Sequence, residues 1–126
     1  MKYAISAADV PDALGSYSQG TTAGRLIFSS GQLGRSAQDN SLIVEGGIVA
    51  ETERICDIFE TLLAEVNCTL DDIASTTIYL VDLDYAPLVD GVLSRRFSKP
   101  GPARTLVEVS ALPMGARIEM DFVACR

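Results

Sequence analysis

Two charged side chains in the C-terminal third of the chain could act together on a small anionic molecule. Arg104 and Glu119 each lie in a segment with mostly apolar neighbours, 102–109 and 117–122. A guanidinium group can donate two parallel hydrogen bonds to a carboxylate, and a glutamate can hold or activate a water molecule. The pair therefore predicts a pocket for a small carboxylate, with Arg104 as the anion-binding group and Glu119 as the group that handles water.

The composition narrows the chemistry that this chain can perform. It contains no histidine, which excludes Ser-His-Asp and Cys-His catalysis and every histidine-containing metal site. Its three cysteines, Cys56, Cys68 and Cys125, have no metal-type spacing and are typical of buried or partly exposed thiols in a reducing compartment. We therefore expect no metal site, and proton transfer near neutral pH must involve other groups, of which Glu119 is the best placed.

Length and charge set the broad class of the protein. The 126 residues contain no low-complexity run and fit one domain that spans 1–126. The formal net charge of −7, with scattered basic residues, would repel a phosphate backbone, so nucleic-acid binding is not expected. Residues 1–14 lack a long apolar stretch, so we expect no signal peptide, no membrane span and a cytoplasmic location.

Hydrophobic periodicity predicts the element order β-β-α-β-α-β-β. The predicted elements are a hairpin from 17–22 and 26–28, a long helix over 48–66, a strand over 73–81, a second helix over 86–97, and strands over 103–110 and 117–125. The segment 34–40 is expected to form a surface loop, and the charged residues of the long helix, Glu51 among them, to face solvent. This order predicts an α+β fold with two helices packed on one face of a mixed sheet, and with the other face uncovered.

Alternation along the last two strands assigns side chains to the two faces of the sheet. One row of the last strand is wholly apolar, namely Ile118, Met120, Phe122 and Ala124. If this row and the row of Thr105, Val107 and Val109 both meet the helices, Arg104 and Glu119 project together from the opposite face. A half-apolar exposed face is a natural place for subunits to meet, and pockets often lie at such seams.

The chain resembles the reactive-intermediate deaminase family, RidA/YjgF, over almost its whole length. The resemblance is carried by Gly-Ser-Tyr-Ser-Gln at 15–19, Phe-Ser-Ser-Gly-Gln at 28–32, the long helix, 72–81, Pro-Ala-Arg at 102–104, and the segment from Leu112-Pro113 to Arg117-Ile118-Glu119. It implies a chorismate-mutase-like α+β subunit that assembles as a homotrimer with active sites in the clefts between subunits. It also implies hydrolysis of 2-imino acids, or their enamine tautomers, to 2-oxo acids and ammonia without metal or organic cofactor.

The resemblance implies roles for individual residues by position. Arg104 matches the arginine that grips the substrate carboxylate, and Glu119 matches the glutamate proposed to orient or activate the attacking water. Tyr17 and Ser30 match residues that line the same cleft, and Gly31 offers a backbone group beside them. An imine is already electrophilic, so these groups need chiefly to orient it, hold a water molecule and provide a path for protons.

Three positions depart from the pattern of the family. Leu106 stands where many members have a cysteine two residues after the arginine, so only main-chain contacts and no thiol role remain there. Asp90 aligns with a frequent asparagine of the second helix, and a carboxylate in that place would repel an anionic substrate unless it faces elsewhere or changes the specificity. Ser16 replaces the usual proline before Tyr17.

The residues also admit other roles. Arg104 could be a structural arginine paired with Glu108, Glu119 or Asp121, and Glu119 could be a solvated strand residue. Tyr17 could cap a sheet edge and Ser30 could mark the end of a strand.

Other functions remain open at this stage. A trimer of the same fold could bind small carboxylates without catalysis, as a sensor or scavenger. A role directed at RNA or at another protein is opposed by the acidic charge, and chorismate-mutase chemistry rests on analogy of fold alone.

Overall fold

The computed structural model describes all 126 residues, which form a seven-stranded mixed sheet and two helices. The elements are β1 (Lys2–Ile5), β2 (Gly20–Ala23), β3 (Leu26–Ser29), β4 (Gln32–Leu33), α1 (Gly47–Ala64), β5 (Ile73–Leu80), α2 (Ala86–Arg96), β6 (Ala103–Glu108) and β7 (Ile118–Cys125). The strand order is β1-β2-β3-β7-β5-β6, with β4 also paired to β7. Only β5 and β6 run parallel. Neither helix is both long and apolar enough to cross a membrane.

The core lies between one face of the sheet and both helices. The apolar row of β7 is buried, and the ring of Phe122 packs edge-on against Phe59 of α1 with centroids 4.8 Å apart. Val89, Val92 and Leu93 of α2 belong to the same buried cluster. The predicted α+β architecture, with two helices on one face of a mixed sheet, is confirmed. We call the face that carries the helices the helix face and the other the open face.

The N-terminal part of the sheet contains strands that periodicity did not predict. β1 pairs with β2 at the sheet edge, yet only Ile5 of its four residues is buried, so its sequence carries almost no alternation. The first strand of the predicted hairpin begins at Gly20 rather than Tyr17. Residues 17–19 are therefore loop residues, and the hairpin turns at Gly24, whose φ of 61° suits a residue without a Cβ.

Two charged residues that we expected at the surface are buried. Glu51 is fully buried and accepts hydrogen bonds from the backbone N–H of Arg117 at 2.8 Å and from its Nη1 at 2.9 Å. Arg35 is also buried, and its Nη2 donates to the carbonyl of Asp12 at 2.6 Å. Buried charges persist when they are paired or hydrogen-bonded, and these partners are distant in sequence. The two contacts tie α1 to the start of β7, and the 34–40 loop to the segment that precedes Tyr17.

The prediction that Arg104 and Glu119 project together from one face is wrong for a single chain. Arg104 lies beside Thr76 of β5, whereas Glu119 lies beside Tyr79. Paired residues point to the same side of a sheet, and residues three apart on one strand point to opposite sides. Because Thr76 shares the buried helix side of β5 with Ile78, Arg104 is on the helix face and Glu119 is on the open face.

The error came from the orientation of β6, which the sequence pattern does not fix. Both rows of this strand contain apolar and polar residues, and the prediction from the sequence is that the row of Thr105 and Val107 meets the helices. In the structure Val107 is on the open face and 38% exposed, whereas Leu106 packs against the core. Since β6 is an edge strand, either row could have faced the helices without leaving a long apolar surface exposed.

Candidate active site

The first half of the candidate site is a cleft of about 280 Å³ on the helix face, beside the edge strand β6. We call it the Arg104 cleft. It is lined by Thr76, Asp90, Leu93, Ser94, Phe97, Ser98, Lys99, Gly101, Pro102 and Arg104. Leu93 and Phe97 give it an apolar wall, and Arg104 and Lys99 supply positive charge. A small organic anion with an uncharged tail fits this combination.

Arg104 is held in the cleft by one carboxylate. Its Nη1 donates to Oδ1 of Asp90 on α2 at 2.7 Å, and the two side chains are 40% and 63% exposed. None of the partners that we considered from the sequence is used, since Glu108 instead accepts from the backbone N–H of Leu83 and Asp121 from the hydroxyl of Tyr79. No other group of the chain bonds Arg104, so the Nε and Nη2 edge of the guanidinium is free to bind a carboxylate.

The second half is a smaller cavity of about 90 Å³ beside Glu119 on the open face. We call it the Glu119 cleft. Its walls come from the N-terminal segment, β4 and the turn before β7, and they consist of Pro11, Ala13, Leu14, Tyr17, Gln19, Gly31, Gln32, Leu33, Arg35, Pro113 and Glu119. The structure thus brings Tyr17 and Gly31 together with Glu119, whereas Ser30 and Leu106 line neither cleft.

The environment of Glu119 favours proton exchange. Burial raises the pKa of this carboxyl group above its ordinary value, and the nearby carboxylate of Asp121 raises it further. No donor of the chain bonds the carboxylate of Glu119, so both oxygens can accept from a water molecule. Because a higher pKa makes a carboxylate a stronger base, Glu119 accepts a proton from water more readily than an ordinary glutamate, and a larger fraction of it is protonated at a given pH and able to donate a proton.

Hydrogen bonds to the backbone hold the loops around Glu119. The Tyr17 hydroxyl accepts from the backbone N–H of Leu14 at 3.1 Å, and the Ser30 hydroxyl donates to the Ser18 carbonyl. Gln19, which sequence reasoning did not single out, is buried and accepts from the N–H of Ala7 at 2.7 Å. Its amide also donates to backbone carbonyls of the same segment. Its place in the Ser-Tyr-Ser-Gln motif was the signal that could have revealed this anchoring role.

Glycine at position 31 allows the carboxylate of Glu119 to approach the loop after β3. A Cβ built on Gly31 would lie 2.9 Å from Cδ of Glu119, closer than side chains pack. The two residues therefore share a space that only glycine leaves open. No group of three or more Cys, Asp or Glu side chains in the chain is arranged to hold a metal ion.

Comparisons with known proteins agree with this fold over nearly the whole chain. The sequence model of the family described as Endoribonuclease L-PSP matches residues 7–126. A human protein named 2-iminobutanoate/2-iminopropanoate deaminase is 34% identical over 120 residues, which cover 95% of this chain and 87% of the human one. A RutC family protein of Pyrococcus abyssi is 35% identical over 123 residues, 98% of this chain and 96% of that protein.

A comparison with solved structures also shows the fold of this family. The crystal structure of RidA from the Antarctic bacterium Psychrobacter sp. PAMC 21119 superposes with a TM-score of 0.93 at 28% identity, covering 98% of this chain and 99% of that one. The fold is the α+β, chorismate-mutase-like fold of these proteins. The chain belongs to the RidA/YjgF family.

Proposed function

We propose that the protein is a hydrolytic deaminase of small 2-imino acids and their enamine tautomers. Arg104 binds the substrate carboxylate through its free Nε and Nη2 edge, and Glu119 positions a water molecule at the imine carbon. Water adds to the C=N bond while Glu119 accepts its proton. The proton then passes to the nitrogen to give a carbinolamine. Its hydroxyl proton is transferred to the nitrogen as the C–N bond breaks and the C=O bond forms, and the products are a 2-oxo acid and ammonia.

The observation that carries this proposal is the half-buried, unpaired carboxylate of Glu119 with its raised pKa. Burial and the negative charge of Asp121 both raise the pKa of this carboxyl group. The reaction needs one group that takes a proton from water and later gives it to a leaving amine, and such a carboxyl group can do both. Relatives of this family that bear a deaminase name support the same reaction class.

We further propose that each complete site forms between two chains of a homotrimer. Arg104 and Glu119 are on opposite faces of one sheet, so a substrate that touches both needs the Arg104 cleft of one chain and the Glu119 cleft of the next. The same contact repeated by rotation closes into a ring. Large apolar side chains exposed on the open face of β3 and β6, namely Leu26, Phe28 and Val107, support burial of this face against other copies.

The remaining site residues have supporting roles in this proposal. Tyr17 closes one wall of the Glu119 cleft, and Ser30 fixes the loop that presents the backbone of Gly31. Leu106 packs against the core two residues after Arg104 and offers main-chain contacts only. The reaction needs no cofactor, because the carbon of an imine is already electrophilic enough to be attacked by water. The cytoplasmic location remains a prediction from the sequence.

Ammonia release tests this function directly. We expect the protein to hydrolyse 2-iminopropanoate and 2-iminobutanoate, generated in the assay by an amino-acid oxidase, well above the rate in buffer. Calorimetry with the corresponding 2-oxo acids distinguishes catalysis from the alternative of a carboxylate sensor or scavenger. Tight binding of 2-oxo acids without any rate enhancement would replace the deaminase by that alternative.

The family description mentions an endoribonuclease, and the same preparation can test this activity. Base-catalysed RNA cleavage commonly needs a general base near a cationic, phosphate-binding surface, whereas this chain has no histidine and a net charge of −7. We propose that nucleic acid is not a partner. Cleavage of RNA that is lost on replacing Glu119 would contradict this part of the proposal.

Alanine at position 31 should impair turnover without unfolding the protein. The new Cβ would displace the carboxylate of Glu119, and a misplacement of about 1 Å can lower a rate about 100-fold. Steady-state kinetics of Gly31→Ala should show this loss mainly in kcat, with an almost unchanged melting temperature. Gly91→Ala is the matched control, since a Cβ there meets nothing within 4 Å. Equal activity of both variants would contradict the assigned position of Glu119.

A further inference from the structure

We infer that Asp90 determines specificity in the Arg104 cleft: it admits substrates with a single carboxylate and disfavours those with a second carboxylate on the side chain. The inference rests on the proposed function, because it assumes that Arg104 binds the α-carboxylate. The inference goes beyond the reaction type, because it concerns the charge of the substrate side chain. The observation behind it is the 2.7 Å hydrogen bond from Nη1 of Arg104 to Oδ1 of Asp90.

The geometry leaves Arg104 competent to bind one carboxylate in one orientation. The planar guanidinium group has two edges that can donate a pair of parallel hydrogen bonds to a carboxylate, one through Nε and Nη2 and the other through Nη1 and Nη2. Asp90 occupies Nη1, so only the edge formed by Nε and Nη2 remains fully available. Asp90 thus fixes the guanidinium and limits it to one carboxylate.

The net charge of the Arg104 cleft also favours a substrate with a single carboxylate. Its charged lining residues are Asp90, Lys99 and Arg104, whose charges sum to +1. One substrate carboxylate brings this sum to zero, and a second would leave it negative beside a carboxylate that is itself 63% exposed. Like charges a few ångströms apart repel, and in a partly solvated cleft this repulsion corresponds to about a tenfold loss of affinity.

The apolar wall of the cleft suits the tail of a substrate with an uncharged side chain. Leu93 and Phe97 line the cleft together with Asp90. Leu93 lies one turn after Asp90 on α2, and Phe97 caps the C-terminal end of that helix. An aliphatic chain can pack there without losing solvation, whereas a second carboxylate would have to give up part of its hydration.

Binding of product analogues tests the inference without relying on turnover. The probes are 2-oxoglutarate and 5-methyl-2-oxohexanoate, which have nearly the same shape but differ by one negative charge. By calorimetry on the assembled protein, we expect the singly charged 5-methyl-2-oxohexanoate to bind about tenfold more tightly than 2-oxoglutarate. In Asp90→Asn, which keeps an acceptor for Nη1, affinity for 2-oxoglutarate should rise about tenfold, while that of the other probe changes less than about threefold.

Two comparisons separate the effect of the Asp90 charge in the cleft from the effect of a change in the net charge of the protein. Asp84→Asn removes the same charge from an exposed position outside the cleft and should leave the selectivity of the wild type unchanged. In the wild type, about 1 M salt should reduce the preference, because exposed charges are screened. Equal affinity of the wild type for both probes, or unchanged selectivity in Asp90→Asn, would overturn the inference. If the expected selectivity appears but no imine is hydrolysed, the proposed deaminase fails while the role of Asp90 stands.

Discussion

Replacing Arg104 by alanine is expected to lower kcat/KM for 2-iminopropanoate by about 100- to 10,000-fold. In the proposed complex the Nε and Nη2 groups donate two charge-assisted hydrogen bonds to the substrate, each worth about 1.5–3 kcal/mol, and a loss of 1.36 kcal/mol is tenfold in rate. Part of the effect should appear in KM, because the carboxylate is bound before the reaction. The measurement is the initial rate of ammonia release over a range of substrate concentrations.

The control for this prediction is Arg95→Ala on α2. It removes the same charge and the same side chain from a residue that is 61% exposed and that does not line the Arg104 cleft. We expect this variant to keep wild-type kinetics. If Arg104→Ala stays folded and assembled and retains turnover within about threefold of Arg95→Ala, the carboxylate must be bound elsewhere.

Glu119→Gln should lower kcat by about 100- to 10,000-fold, which is the range of a lost general base. The glutamine keeps the shape of the side chain but cannot accept a proton. In the wild type, only the ionised form of Glu119 can activate water, so kcat/KM should fall as the pH drops through its pKa. Because burial and Asp121 raise that pKa, the fall should begin at a higher pH than for an exposed glutamate.

Asp121→Asn gives this prediction a matched test. Asp121 contributes to the raised pKa of Glu119 through its negative charge. Removing that charge should make Glu119 a stronger acid, so the acidic limb of the pH profile should move to lower pH while turnover persists. A Glu119→Gln variant that keeps both its rate and the acidic limb would show that another group carries the proton.

The sequence predicted the parts of the fold that depend on local periodicity. The apolar faces of α1 and β7 could be recognised because each is continuous over many residues, and burial of the row from Ile118 to Ala124 followed from it. The motif around Tyr17, Ser30 and Gly31 also indicated which loops surround Glu119. Such features can be predicted because they depend on residues that are close together along the chain, or because they belong to motifs that resemble known ones.

Contacts between distant segments were the features that the sequence did not reveal. The edge strand β6 has two rows of mixed polarity, so its orientation, and with it the face of Arg104, depended on pairing with β5. The burial of Glu51 required Arg117, which is 66 residues away, and the ion pair of Arg104 required Asp90 on α2. A charged residue is expected at the surface until its partner is known, and only the folded chain supplies the partner.

Mixed assemblies of Arg104→Ala and Glu119→Gln test most directly whether one site is built from two chains. Each variant alone should be nearly inactive, because every site lacks one of the two groups. In trimers formed from equal amounts of both, chance placement should give about one quarter of the sites an intact Arg104 from one chain and an intact Glu119 from its neighbour. We therefore predict recovery to about a quarter of the wild-type kcat. Mixed trimers that form, as shown by mass spectrometry, but stay as inactive as either parent would contradict a site shared between chains.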